Sequence, residues 1–120
     1  MPRIPYPDLA TLPPDVRAGI GDQPANVSKM LAAASEPVFR HVSAMGSAFI
    51  NGSPLPPQLR EIAILRVGYI SNSAYEVFQH EALARYVGLS DAQIDAVRAG
   101  DAQSPQLDEV QRAVLRFVDD

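Results

Sequence analysis

The chain contains no cysteine. That absence excludes disulfides, cysteine-based metal sites and every reaction that begins with a thiolate. It leaves the redox compartment open, because a cysteine-free chain works in any of them. Basic residues are also scarce: 10 Lys and Arg face 14 Asp and Glu, Lys29 is the only lysine, and no basic run occurs. An acidic balance of this kind disfavours nucleic acids and other polyanions as partners. No segment approaches the roughly 20 apolar residues of a membrane span. The N-terminal "MPRIPYPDLATLPPDV" has no apolar core of signal-peptide length. A cytoplasmic protein with no membrane partner is the resulting expectation. No stretch alternates with period two over strand length, which points to an all-α fold.

What is present is a globular composition, 47% hydrophobic and 20% charged, in 120 residues. Such a chain builds at most one core and keeps a large surface for its volume, so a homo-oligomer is expected. Proline punctuates it. Pro2, Pro5, Pro7, Pro13 and Pro14 fix φ and remove donors, so residues 1–23 are read as a Pro-rich arm and 24–120 as the helical domain. Pro37 follows a possible cap at Ser35, and Val38, Val42, Met45 and Phe49 recur behind it at helical spacing. They are predicted to form a core face. "NGSPLPP" at 51–57 is a loop whose last two prolines open the helix "QLREIAILRVGYI". "SNS" at 71–73 separates it from a second helix ending at about Val87, where Gly88 stops it. Ser90 and Gln93 form a capping-box pattern, with Gly100 at the far end. "SPQLDEVQRAVLRFV" predicts a helix capped by Ser104 with Pro105 in its first turn. Asp119 and Asp120 at its end oppose the helix dipole, so the chain is expected to be truncated there relative to a longer natural one.

The central helix carries "NSAYEVFQH" at 72–80. At 100° per residue Ser73, Glu76 and His80 share an arc of about 60°, among Val77, Leu83, Ala84 and Val87. In the preceding helix Glu61 shares a face with Ile64, Leu65 and Gly68, with Tyr69 at its edge. Buried without partners, two carboxylates and an imidazole would cost several kcal/mol. They are therefore expected to meet one another, a ligand or water. Glu76 and His80, at i and i+4, are neighbours able to hydrogen-bond. Such a pair can donate and accept protons near neutral pH. A structural pair or a solvated face is the competing reading. A site of Glu61, Glu76 and His80 holding zinc, iron or manganese is chemically allowed, but no metal or cofactor is expected.

The stretch "LREIAILRVGYISNSAYEVFQHEALARYVGLSDAQI" resembles the core motif of the carboxymuconolactone decarboxylase and AhpD-like alkylhydroperoxidase superfamily. In the peroxidase branch a Glu is followed by a Cys pair and a His; Glu61, Ser73, Glu76 and His80 stand at those positions. With both cysteines replaced, cysteine-dependent peroxidase activity is not expected. The decarboxylase branch is similar in lacking the pair and in placing Glu four residues before the His. The resemblance implies an AhpD-like helical bundle assembled as a trimer or hexamer. It also implies a lyase acting by acid and base on a small carboxylated lactone or unsaturated acid. His80, Glu76 and Glu61 would be catalytic. Substrate contacts would fall to Ser73, Tyr69, Arg66 and Arg85, with an arginine of a neighbouring subunit as the alternative, because the helical wheel turns both arginines away from the Glu/His face. The opposite face, Tyr75, Phe78, Ala82 and Tyr86, is expected to pack as core. Another proton-transfer enzyme (isomerase, hydrolase or cyclase) and a non-catalytic oligomeric ligand-binding protein remain alternatives.

Overall fold

A computed structural model of the protein describes residues 5–21 and 25–120. The described residues form one short 3-10 turn, Leu9–Thr11, and seven α-helices, with no strand. The helices are α1 (Pro14–Ile20), α2 (Asn26–Ala34), α3 (Glu36–Asn51), α4 (Pro57–Ile70), α5 (Ala74–Tyr86), α6 (Asp91–Ala99) and α7 (Glu109–Asp119). The fold is all-α. No described helix is long and apolar enough to cross a membrane.

The chain divides into two compact units, Met1–Ser53 and Pro54–Asp120. The boundary expected between residues 23 and 24 lies outside the described residues. In the first unit the prolines do not keep the arm extended throughout: Pro14 opens α1 at a position that has no use for an N–H. Val16 of α1 packs with Ala32 and Phe39 into a small core. The expected core face of α3 is corrected. Val38, Val42, Met45 and Phe49 are exposed, and the buried residue of that helix is Phe39. Periodicity located the apolar stripe, but Phe39 lies beside it and is the residue that meets α1 and α2.

The second unit is built around α4, which packs on α5, α6 and α7. Ile62 and Leu65 of α4, Ala84 of α5, Ile94 and Val97 of α6 and Leu115 of α7 form its core. Pro56 and Pro57 open α4 as the turn chemistry predicts. Ser90 caps α6 with a full capping box, and Gly100 closes it in the left-handed conformation at φ 70°. The expected start of the last helix is corrected. Asp108 is the N-cap, with Gln111 completing a capping box, and Ser104 and Pro105 lie in the preceding turns. An aspartate cap with a glutamine at the third helical position satisfies two orphan N–H groups at once, whereas Ser104 serves locally by accepting from the Gln106 N–H at 3.3 Å.

Candidate functional site

The turn between α4 and α5 sets the geometry. Asn72 takes φ 52°, the Ser73 N–H donates to the Gly68 carbonyl at 2.9 Å, and α5 starts at once. Gly68 lets the two helices approach: a Cβ there would stand 3.2 Å from Val77 Cγ2. This close antiparallel contact carries Glu61, one helix length back from the turn, to the level of His80.

Glu61 is 2% exposed, the most deeply buried charged residue among those described. Its Oε2 lies 2.7 Å from His80 Nδ1, and its Oε1 accepts from Arg60 Nε at 3.2 Å. Burial pushes the Glu61 carboxyl up, but the bonds from His80 and Arg60 outweigh it and hold it below its ordinary value. An ionised carboxylate only accepts, so His80 Nδ1 carries the proton and, in the neutral ring, Nε2 is left bare. That nitrogen faces Glu76, whose Oε2 is 3.6 Å away. This is too long for a hydrogen bond. Glu76 is half exposed. The sequence had paired His80 with Glu76; the short bond goes instead across the helices to Glu61.

Glu76 also lines a cavity of about 430 Å³. Ala63, Ile64, Val67 and Gly68 of α4 form its apolar wall, and Ser71, Ser73 and Glu76 its polar end. Ser73 occupies the N-cap position of α5 but makes no capping hydrogen bond through its side chain, while the Ser71 hydroxyl is spent on the Val67 carbonyl. The arrangement therefore runs from buried carboxylate to imidazole to a second carboxylate at a cavity wall. It can hold a proton at Nε2 or at Glu76 and pass it to a molecule in the cavity.

Tyr69 lines a second hollow with Gly68, Asn72 and Ser73, while the two arginines named from sequence lie elsewhere. Arg66 reaches the Val97 and Arg98 carbonyls at the end of α6 and pairs with Asp119. Arg85 pairs with Asp91 and Glu81. Tyr69 donates to Glu81 Oε1 at 2.9 Å beneath the Arg98 guanidinium. Burial and the Glu81 carboxylate push its phenol above its ordinary value. Sequence reasoning missed two participants. Arg60 is the partner that keeps the buried Glu61 charge satisfied, and its only signal was adjacency. Glu81 gathers Tyr69, Arg85 and Arg98, with Arg98 the chief reason that its carboxyl sits below the ordinary range. Among the described residues no three His, Cys, Asp or Glu side chains gather as a metal site.

The face of α5 opposite Glu76 and His80 is also corrected: Phe78 and Tyr86 are 75% and 87% exposed rather than core. The unit supplies α5 with α4 and α6 as neighbours, both on the other side.

Comparison with known protein families matches residues 36–120 to the carboxymuconolactone decarboxylase family. The chain belongs to that family. Neither a curated protein nor a solved structure matches it. Within this carboxymuconolactone decarboxylase family chain, the matched span contains Glu61, Glu76 and His80, the whole of the cavity and all of α3 through α7.

Proposed function

We propose that the chain is an acid/base enzyme that moves a proton on a small organic substrate seated against Glu76, without thiol chemistry. The observation that carries this reading is the 2.7 Å bond between His80 Nδ1 and a buried, ionised Glu61. It orients the ring, fixes its tautomer and leaves Nε2 as the exchangeable site. Glu76, in the cavity wall and 3.6 Å from Nε2, is the group that touches substrate. His80 acts through it or beside it, and Glu61 is a positioning residue.

In the family's name reaction, a carboxylated lactone or unsaturated acid loses carbon dioxide. The carbon–carbon bond breaks, its electron pair stays on the substrate as an enolate, and a proton from the His80/Glu76 pair forms the new carbon–hydrogen bond. Water then restores the proton. One observation favours a second reaction, proton transfer without loss of carbon dioxide: none of the described residues that line the cavity is basic, and Arg66 and Arg85 are engaged elsewhere. We further propose a homo-oligomer, trimer or hexamer, because Phe78 and Tyr86 of α5 are large apolar groups left exposed. Sedimentation of the purified chain as a monomer at micromolar concentration would contradict that.

The reaction is tested by a spectrophotometric screen of carboxylated lactones, unsaturated acids and enolisable neutral lactones and ketones. Wild type is run beside His80→Ala and Glu76→Gln. Turnover reduced by about 10²–10⁴ in both variants is expected. A substrate turned over equally well by His80→Ala would overturn the proposal.

A further inference from the structure

We infer that the Ser73 hydroxyl is a catalytic group: it donates a hydrogen bond to the carbonyl oxygen of the substrate and stabilises the negative charge that gathers there. The inference rests on the reading of this cavity as the substrate site and adds to Glu76 and His80 the partner for the developing charge. Residues 73–76 read Ser-Ala-Tyr-Glu, the pattern of a capping box. At α6 and α7 the chain forms such boxes in full, with Ser90 and Gln93 and with Asp108 and Gln111. At α5 Ser73 holds the N-cap position and Glu76 follows three residues on, yet the Ser73 side chain makes no capping bond. Both residues line the cavity instead. A local rule followed twice and broken once, at a cavity wall, marks a place where function competes with stability.

The backbone of Ser73 is already engaged. Its N–H donates to the Gly68 carbonyl at 2.9 Å, and its carbonyl accepts from the Val77 N–H at 3.0 Å. The hydroxyl is therefore the polar group this residue has left to offer. Ser71, the other hydroxyl in the lining, spends its one proton on the Val67 carbonyl. Residues three apart on a helix face have Cβ atoms roughly 5–6 Å apart, so a carbonyl compound can rest its oxygen on Ser73 and its α-carbon before Glu76. When the α C–H bond breaks, the proton goes to Glu76 or to His80 behind it, and the electron pair forms the enolate and loads the oxygen. When carbon dioxide leaves, the pair of the broken C–C bond takes the same path. In both cases a donor already in place stabilises the oxyanion without reorganisation. Ser73 keeps its own proton throughout.

The test follows exchange of the α-protons of β-tetralone in deuterium oxide by proton NMR, with the full chain as wild type, Ser73→Ala, Ser73→Thr and His80→Ala. Ser73→Ala is expected to lower kcat about 10²-fold with KM within about threefold of wild type. Ser73→Thr, which keeps the hydroxyl, should restore kcat to within about tenfold of wild type. The unfolding temperature of Ser73→Ala should match wild type, because no cap is lost. Wild-type kcat in Ser73→Ala beside an inactive His80→Ala would overturn the role of Ser73 and leave the acid/base reading standing. A raised KM at unchanged kcat would make the hydroxyl a binding contact, and an unfolding temperature lower by about 4 °C or more would make it a cap; either result overturns the inference. No exchange by wild type above the buffer rate, or undiminished exchange by His80→Ala, would overturn the acid/base reading and the inference with it.

Discussion

Replacing His80 with alanine strips a buried carboxylate of its strongest partner. Glu61 is 2% exposed and cannot turn to water, so the lost bond is not recovered from solvent. A hydrogen bond to a charged group contributes about 1.5–3 kcal/mol, and breaking a buried pair costs about 3–5 kcal/mol. Arg60, still 3.2 Å from Oε1, keeps part of the compensation, so His80→Ala should lose about 2–3 kcal/mol of stability. Glu61→Gln retains an acceptor oxygen for Nδ1–H and removes the charge; it should cost only about 1 kcal/mol. The double variant buries no uncompensated charge and should be more stable than His80→Ala alone, a coupling of about 1–2 kcal/mol. Urea denaturation of the four proteins at neutral pH, with unchanged slopes, measures all three quantities. A loss below about 0.5 kcal/mol in His80→Ala, or strict additivity, would refute the idea that the two side chains form one buried unit.

Stability should also report the Glu61 charge through pH. Its folded-state value is depressed, so the folded chain binds fewer protons than the unfolded one. The contribution is complete above the ordinary glutamate value and is lost as pH falls through the depressed one. Acid titration of the unfolding free energy should therefore fall less steeply in Glu61→Gln than in wild type, and equal slopes would contradict this. Gly100→Ala forces φ 70° on a residue with a Cβ and sets that atom 2.5 Å from an Arg66 guanidinium nitrogen. A cost of about 1–2 kcal/mol is expected by thermal unfolding, smaller in an Arg66→Ala background. Asp108→Ala removes the α7 cap and should cost about 1 kcal/mol; no change would argue that the helix starts elsewhere. Peroxide should not be consumed with a dithiol as reductant, since the chain has no cysteine.

Legibility in the sequence followed the range of the interaction. Ser90 with Gln93 and Gly100 are local signals, fixed within one helix, and the structure reproduces them. Asp108 with Gln111 is the same kind of local signal, four residues beyond the Ser104 cap expected from the sequence. Helical spacing placed Glu61 and His80 on inward faces. It could not choose between Glu76, four residues from His80, and Glu61, nineteen away, because that choice depends on how far α4 slides along α5. Gly68 against Val77 sets that slide. The stripes on α3 and α5 were found as stripes and misread as core, since periodicity reports that a face is apolar and not what covers it. Arg66 was named from nearness in sequence, and its engagement with the end of α6 is a contact across 32 residues that no wheel displays.

The central claim is that Glu61 holds His80 with the proton on Nδ1 and Nε2 bare. Nitrogen-15 NMR of the two histidines, with His41→Ala assigning the signals, tests it without any substrate. An Nδ1–H tautomer is expected for the neutral His80 ring, lost in Glu61→Leu. An Nε2–H tautomer in wild type, or a spectrum of His80 unchanged by Glu61→Leu, would contradict it.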